Sequence, residues 1–273
     1  MPSASFLFLS PALPSELLTY ILNHHIYPTT LIICSSRSDF LATLAEDVLH
    51  RETAPSEDVP TVELAVETSP PTATPDIQKT NQGEVKQQHT LLSSPLYQVA
   101  TSRHIRVIYI PTVTHLRAYL SVFSPDGSRV SIPPASFNSS GKYLPCIILY
   151  GFLDIHRDTS EWSAQGLSNS ASTLVELGHR LSWQTVIVEP RKHNSISSFE
   201  GMLTEAVPFL SGGGRKPAPD LEEGGWTGRT VEVGRVMKRW FHFQRGQWDA
   251  NSDKDEEPLE MKTPNNEDDE LVE

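Results

Sequence analysis

The sequence predicts an α/β domain in which a mainly parallel sheet carries helices on both faces. Residues 147–150 and 185–188 are short apolar or β-branched runs without polar alternation, which is typical of strands buried on both faces. Such strand-like runs and segments with helical apolar spacing alternate at least three times along the chain. This alternation favours a doubly wound sheet with right-handed crossovers.

The first 50 residues predict a helix, a strand and a second helix. The Pro-Ser-Glu run at 14–16 opens a short amphipathic helix that ends near residue 24. Residues 30–34 predict the first buried strand, and the spacing of Ser36 and Asp39 is a capping box for the next helix. The expected apolar face of that second helix consists of Phe40, Leu41, Leu44, Ala45, Val48 and Leu49.

The middle of the chain predicts an insertion followed by a strand and a helix. Residues 51–94 contain no aromatic residue, Cys or Met and are rich in Pro, Glu, Thr and Gln. Such a segment cannot bury enough apolar surface to offset the entropy of ordering, so we expect a disordered insertion. Residues 103–110 predict a strand, and 124–145 predict a loop. The helix between them has an apolar stripe of Val113, Leu116, Leu120 and Phe123.

The remaining elements are a long helix, a loop and a final β-like segment. Residues 191–229 predict a loop that contains a short apolar helix near 199–210 and a Gly/Pro-rich stretch. Residues 230–244 predict a last strand, which joins the sheet antiparallel to its neighbour. The long helix follows the strand at 147–150 and has one apolar stripe, at Leu167, Ala171, Leu174, Val175, Gly178 and Leu181.

An arginine and a short Glu-x-Ser-Ala element lie between the predicted strands at 147–150 and 185–188. They are Arg157 and the Glu-x-Ser-Ala element of Glu161, Ser163 and Ala164, which opens the long helix. This order resembles the segment after the second nucleotide-binding motif in RecA-type recombinases and their eukaryotic paralogues. The resemblance implies a RecA-like fold over about residues 30–244.

The residues that RecA-type proteins use to bind and hydrolyse ATP are not found in the sequence. A phosphate-binding loop is spelled G-x-x-x-x-G-K-[ST], and the chain contains no such motif. The strand–helix junction at 35–39 has neither Gly nor Lys, and the acidic Mg²⁺ position falls on Gly151, with Asp154 the nearest substitute. We therefore expect the fold without hydrolysis, and no catalytic residue, cofactor or metal.

Charge and composition predict one folded unit with an acidic tail. The net charge is −12 over 273 residues, and residues 249–273 hold eleven acidic residues and two Lys. We expect a single domain over residues 1–248 and a disordered tail over residues 249–273.

The cysteines and the apolar runs of the sequence indicate the cellular compartment of the protein. Cys34 and Cys146 fall on predicted buried strands and give no disulfide framework, which is typical of a reducing compartment. No apolar run reaches 18 residues, and the run at 6–9 is too short for a signal peptide and lacks a basic flank. We expect a nuclear protein, with the cytoplasm as the alternative.

Basic and aromatic residues are interleaved near the end of the predicted domain. Single-stranded nucleic acid needs cations for its phosphates and rings under its bases. The position agrees with the resemblance, because a DNA-contacting loop follows the corresponding strand in the recombinases. A charged sheet edge with aromatics packed inward is the alternative. The DNA-binding candidates are Arg229, Arg235, Lys238, Arg239, Trp240 and Arg245.

A polar cluster follows the strand at 147–150, where open α/β sheets usually bind their ligands. These partner-binding candidates are Asp154, Arg157, Asp158 and Trp162. The alternative is an Asp–Arg pair that braces a loop. The scattered histidines have no metal-ligand spacing with a Cys or a carboxylate, so we expect no metal site.

Together with the missing phosphate-binding motif, the resemblance to RecA-type recombinases implies a non-catalytic subunit of a recombinational DNA-repair complex that assists a recombinase filament on single-stranded DNA. The chain resembles the small recombinase paralogues that pair with a SWIM-type zinc-binding protein, the Shu-complex class. The implied partners are that protein and/or a RecA-like recombinase or paralogue, with single-stranded DNA as a further candidate and no membrane. Two alternatives stay open: a structural RecA-like subunit of an Elongator-type tRNA-modification complex, and an unrelated α/β enzyme.

Overall fold

The computed structural model describes residues 5–24, 27–53, 90–93, 95–127, 130–133, 145–191, 199–209 and 229–249. Most of the predicted insertion at 51–94 and the tail from residue 250 lie outside the described residues. So do residues 134–144 and 210–228, which make up much of the two predicted long loops. The described ends of the insertion are helical.

Seventeen residue ranges define the regular elements of the described chain. They are β1 (Phe6–Ala12), α1 (Pro14–His24), β2 (Thr29–Ile33), α2 (Arg37–Thr53), α3 (Thr90–Ser93), α4 (Leu96–Ser102), β3 (Ile105–Tyr109), α5 (Val113–Val122), a 3₁₀ turn (Pro125–Gly127), β4 (Cys146–Tyr150), α6 (Ala164–Leu181), β5 (Gln184–Pro190), α7 (Phe199–Leu203), β6 (Ala206–Pro208), β7 (Thr230–Glu232), α8 (Val233–Met237) and β8 (His242–Gln244).

The centre of the molecule is a six-stranded sheet in the order β3-β2-β4-β5-β1-β8. Every neighbouring pair in it is parallel. The short strands β6 and β7 form a separate antiparallel pair. This architecture confirms the predicted α/β class and is consistent with a RecA-like fold.

Helices cover both faces of the sheet, because the central strands present apolar side chains in both directions. In β4, Ile147 and Leu149 pack with α5, α6 and α8, whereas Ile148 and Tyr150 pack with α1 and α2. Successive side chains of a strand point to opposite faces, so an uninterrupted apolar run is buried only between two layers of helices. The predicted doubly buried strands are therefore confirmed.

Side-chain caps mark where the two long helices begin. The hydroxyl of Ser36 accepts a hydrogen bond from the backbone N–H of Asp39 at 3.1 Å, as the capping-box spacing predicts. The hydroxyl of Ser163 accepts from the N–H of Gly166 at 3.1 Å and caps α6. Both contacts satisfy amides that have no partner within the helix.

The predicted apolar face of α2 is only partly buried. Phe40 and Val48 are buried, but Leu41, Ala45 and Leu49 are exposed, and the polar Asp47 is fully buried instead. The sequence spacing predicts a wide apolar face, whereas the side of α2 that meets the sheet and α1 is narrower and includes an acidic residue.

The first strand of the sheet is β1, which the sequence reasoning missed. Residues 6–9 were considered only as a poor signal peptide, and residues 30–34 were expected to form the first strand. In the structure, β1 lies between β5 and β8, and Phe8 at its centre is fully buried. Ser10 and Pro11 interrupt its apolar run, and its place in the sheet depends on partners more than 170 residues away.

The predicted single strand at 230–244 is wrong in two respects. The segment forms β7, then α8, then β8, and β8 runs parallel to β1 rather than antiparallel. The antiparallel pairing that does occur lies outside the main sheet, between β6 and β7. Val233, Val236 and Met237 are all buried and have helical spacing, which was the sequence signal for α8.

Among the helices of the described residues, none is long and apolar enough to cross a membrane.

Candidate functional site

A crevice opens at the carboxyl edge of the central strands. Strands β2 and β4 are neighbours, yet the chain leaves β2 toward α2 on one face and leaves β4 toward α6 on the other. Ligands of open α/β sheets bind at such points. The crevice has a volume of about 470 Å³, and residues that follow β1, β2, β4 and β5 line it.

The amino-terminal end of α1 reaches this crevice, and carboxylates of the chain itself bind its backbone amides. The N–H of Leu13 donates to Oε2 of Glu16 at 2.9 Å, and the N–H of Ser15 donates to Oδ2 of Asp47 at 2.8 Å. Asp47 is fully buried. Free amides at a helix N-terminus are a ready site for phosphate, but here internal carboxylates hold two of them.

Two further contacts tie the β1–α1 turn to the ends of other elements. Arg191, directly after β5, donates to Oε2 of Glu16 at 2.6 Å and lies 3.7 Å from the carboxylate of Asp249. The indole N–H of Trp248 donates to the backbone oxygen of Pro11 at 3.0 Å. Asp249, which was assigned to the tail, thus contacts the folded domain.

Three of the four partner-binding candidates meet around one guanidinium group. Arg157 forms a bidentate salt bridge with the carboxylate of Glu205, and both N–O distances are 2.6 Å. Nε of Arg157 also lies 3.3 Å from the carboxylate of Asp154. The guanidinium also lies 4.7 Å from the ring centre of Trp162. Asp158 is exposed and has a φ of 55°, a left-handed conformation that Asp tolerates better than most residues. Glu205 was not predicted, because it lies between the short elements α7 and β6 and no local pattern indicates it.

A buried acid lies beside this cluster. Glu189 at the end of β5 is 2 % exposed, and its Oε1 accepts a hydrogen bond from the N–H of Leu153 at 2.8 Å. Burial, together with the nearby charge of Asp154, raises the pKa of Glu189 well above its usual value. The sequence signal was a carboxylate directly after the apolar run of β5.

The histidine of the loop after β4 belongs to a buried network that braces the loop. Nδ1 of His156 lies 2.7 Å from the backbone oxygen of Phe152, and Nε2 lies 2.8 Å from the hydroxyl of Ser170 on α6. Nδ1 therefore carries the proton, and the Ser170 hydroxyl donates to Nε2. Burial lowers the pKa of His156 to about 4.

Arg117 of α5 completes this network. Its Nε donates to the Ser170 hydroxyl at 2.8 Å, and its terminal nitrogen donates to Glu161 at 2.6 Å. Two of the residues that carry the family resemblance therefore have structural roles here, since Glu161 binds Arg117 and Ser163 caps α6.

Neither cysteine is arranged as a nucleophile. Cys34 is buried after β2, and burial raises the pKa of its thiol. Burial also raises the pKa of Cys146 to about 12. A thiol reacts as the thiolate, so both side chains act as small apolar residues near neutral pH.

The DNA-binding candidates fall into two groups in space. Arg235, Lys238 and Arg239 lie on or directly after α8 and are exposed, and Arg229 precedes β7 and is also exposed. Arg245 follows β8 and lines a different cleft, together with residues of α1.

Trp240 is a structural residue rather than a free ring. It is half-buried against the apolar core, and its indole N–H donates to the hydroxyl of Ser168 on α6 at 3.2 Å. Phe241 beside it is buried. The exposed ring of this region is instead Phe209, which the sequence reasoning missed. It shares a cleft of about 350 Å³ with Arg235 and Arg239.

The described residues contain no group of three or more His, Cys, Asp or Glu side chains that could hold a metal ion. No protein-family model matches the chain, and no curated protein matches it.

Proposed function

We propose that the chain is a RecA-like, non-catalytic subunit of a recombinational DNA-repair complex and assists a recombinase filament on single-stranded DNA. One observation carries the non-catalytic part of the proposal. At the start of α1, which borders the crevice, Glu16 and Asp47 hold the amides of Leu13 and Ser15. At the start of α2, the hydroxyl of Ser36 holds the amide of Asp39. A nucleotide would have to displace carboxylates that belong to the fold.

The charge of the crevice supports the same proposal. Asp39, Glu46 and Asp154 are among its lining residues, and among the described residues of that lining Arg191 is the one cation. Arg191 is already paired with Glu16. A triphosphate entering the crevice would meet net negative charge from the described lining residues and a cation that is already paired, so the hydration that the phosphates lose would not be replaced.

The exposed cations around α8 support the nucleic-acid part of the proposal. Four exposed basic side chains are close in sequence to one another there, at 229, 235, 238 and 239. Acidic chains repel DNA as a whole, so contact requires such a local basic surface.

Nucleotide binding is the first test. Isothermal titration of the full chain with Mg-ATP is expected to give no saturable binding tighter than millimolar, and no phosphate release. Saturable binding in the micromolar range would contradict the proposal and would favour the enzyme alternative.

Partner identification is the second test. Affinity capture of the tagged full chain from its native cells, followed by mass spectrometry, is expected to recover a SWIM-type zinc-binding protein and/or a RecA-like recombinase or paralogue. Two RecA-like sister subunits of a tRNA-modification complex would overturn the proposal in favour of the Elongator-type alternative. An active chain without partners would favour an enzyme.

A charge-removing pair of variants shows whether the carboxyl edge takes part in this capture. Asp158→Asn keeps a residue type that tolerates the left-handed backbone and removes one exposed charge beside the Arg157 cluster. We expect it to weaken partner recovery. Asp126→Asn removes an exposed charge from the 3₁₀ turn after α5, distant in sequence from the cluster, and is the matched control.

A further inference from the structure

We propose that the cleft between α6, β7 and α8 binds single-stranded DNA, with Arg235 and Arg239 holding phosphates and the ring of Phe209 stacking on a base. This inference rests on the proposed function for its choice of ligand, and it assigns that ligand to one place on the molecule.

Rigid elements build the cleft. Gln165 and Ser168 in the first turns of α6 line one side, and Arg235 of α8 with the adjacent Arg239 lines the other. Phe209 directly after β6 completes the lining. The volume of about 350 Å³ is at the small end of the range for ligand sites, which suits one nucleotide of a longer strand rather than a whole oligonucleotide.

The arginines of this cleft differ from three other arginines of the described chain in that they have no carboxylate partner. Arg117, Arg157 and Arg191 each contact a carboxylate of the chain within 2.6 Å. Their charge is therefore already neutralised. Among the described residues, Arg235 and Arg239 form no such ion pair and are exposed. Each of them can exchange a hydrated counterion for a phosphate without breaking an internal contact.

Phe209 has the properties of a stacking ring. The residue is 44 % exposed, although its side chain is large and apolar. Its backbone is held in place, because its N–H donates to the oxygen of Arg229 at 2.7 Å beside the β6–β7 pair. A ring on a fixed backbone next to two cations is what sequence-tolerant binding of single strands uses. A lone exposed Phe would be ordinary, but this ring lies in a concave basic site.

Trp240 contributes indirectly to the same site. Its hydrogen bond to Ser168 joins the segment after α8 to α6, and Ser168 is itself a lining residue of the cleft. Its ring is packed on the core, so it is not a stacking surface. The inference thus selects Phe209, Arg235 and Arg239 and leaves out Trp240 and Arg245.

Fluorescence anisotropy of the full chain with a labelled oligothymidylate of about 20 nucleotides tests the inference, since that length exceeds the roughly 4–16 nucleotides of typical single-strand sites. Phe209→Ala should weaken binding by about 5- to 100-fold and leave the salt dependence unchanged, because stacking releases no counterions. Phe209→Tyr should restore binding.

The arginine variant should act differently from the ring variant. Replacing Arg235 and Arg239 together by Ala should weaken binding and reduce the slope of log affinity against log salt by about 1.4, which corresponds to about 0.7 per lost phosphate contact. The matched control replaces Arg37 and Arg103, two exposed arginines outside the cleft, by Ala. It removes the same charge and should change the affinity less than twofold. Thermal unfolding verifies that all variants fold, as expected for exposed side chains.

Several results would overturn the inference. They are no binding of oligothymidylate at low salt, equal losses in the control and the arginine variant, tighter binding of oligouridylate through the same residues, or selective binding of an acidic peptide instead. Failure of the proposed function gives a different result. If repair proteins do not co-purify but the cleft variants bind oligothymidylate more weakly, the DNA site in the cleft is supported and the assignment to recombination is wrong.

Discussion

Arg157 is the side chain that holds the carboxyl-edge cluster together. It binds Glu205 with two short hydrogen bonds, contacts Asp154 and lies over Trp162. The residue predicted as a partner contact therefore already has partners within the chain. This arrangement favours the loop-brace alternative for Arg157, whereas Asp158 is exposed.

The coupling between Arg157 and Glu205 can be measured directly. The side chains of both residues are about one third exposed, at 35 % and 32 %, so solvent screens the pair. A double-mutant cycle of Arg157→Ala and Glu205→Ala in urea unfolding should give a coupling free energy of about 1 kcal/mol. Arg157→Lys should lose most of this coupling free energy, because an ammonium group cannot form the bidentate contact with the carboxylate of Glu205. A coupling of zero would show that the pair does not stabilise the fold.

His156 makes the stability depend on pH in a defined direction. Its folded pKa is about 4 and its ordinary value is 6.5, so between these values the unfolded chain binds the extra proton. The free energy of unfolding should therefore fall as pH drops from 6.5 toward 4, by about 2 kcal/mol between pH 6.5 and pH 5. Urea unfolding of the wild type and of His156→Asn at these two pH values measures the difference. Equal pH dependence in both proteins would mean that the imidazole titrates normally.

Glu189 acts in the opposite direction. Its pKa is raised in the folded state, so the folded chain keeps a proton that the unfolded chain loses. The contribution of Glu189 to the free energy of unfolding is fully present below about pH 4.5, and it is lost as the pH rises toward the pKa of Glu189 in the folded protein. Single variants are therefore needed to separate the two residues, since the wild-type pH profile contains both effects.

At the scale of elements, α6 lies close to the sheet because it carries glycine at position 178. A Cβ there would lie 2.7 Å from Cε1 of Phe6 and 2.8 Å from Cγ2 of Thr185. These atoms belong to β1 and β5, the strands that α6 covers near its carboxyl end. Gly178, which belongs to the predicted apolar stripe of α6, therefore lets the helix approach the sheet more closely than a residue with a Cβ would.

Gly178→Ala tests this contact. Overpacking should cost about 1 to 3 kcal/mol, and the better helix propensity of Ala should return about 1 kcal/mol, which leaves a net loss of stability. Gly127→Ala is the matched control, because nothing lies within 4 Å of a Cβ at that position. Chemical unfolding of both variants gives the two values. A stabilised Gly178→Ala protein would mean that α6 can move away from the sheet at little cost.

At the scale of the whole molecule, charge is divided between surfaces. The crevice at the carboxyl edge is acidic, the surface around α8 is basic, and residues 250–273 carry ten acidic residues and two Lys. The long-range field of an acidic segment opposes the approach of DNA, and salt screens it.

Deleting residues 250–273 should therefore change binding more than folding. The Tm should shift by less than about 4 °C, because the deleted segment is poor in apolar residues and Asp249 is retained. Affinity for oligothymidylate should rise at low salt, and the gain should shrink at high salt. A variant of full length with the acidic residues changed to Asn and Gln separates charge from length. A large fall in Tm would show that the segment packs on the domain.

Much of the fold could be predicted from local patterns in the sequence. The strands β2 to β5 and the helices α1, α2, α5 and α6 occur where apolar runs and helical stripes predict them. Those patterns are local because a strand buried on both faces, or a helix packed on a sheet, must repeat apolar residues at the period of its backbone. The structure also has elements that were not predicted, namely β1, α3, α4, β6 and α8, each of seven residues or fewer. Elements this short, or interrupted by polar residues as β1 is, carry too few apolar positions for a period to be recognised.

The sequence by itself determined the α/β class, the two-sided burial of the central strands and the concentration of acidic residues at 249–273. Only the tertiary structure decided which polar groups meet. Asp47 reaches the amide of Ser15 across 32 residues, Arg157 meets Glu205 across 48, and Phe209 shares a cleft with Arg235. The physical reason is that periodic burial is set by each segment's own residues, whereas these contacts depend on how distant segments are placed by the packed sheet.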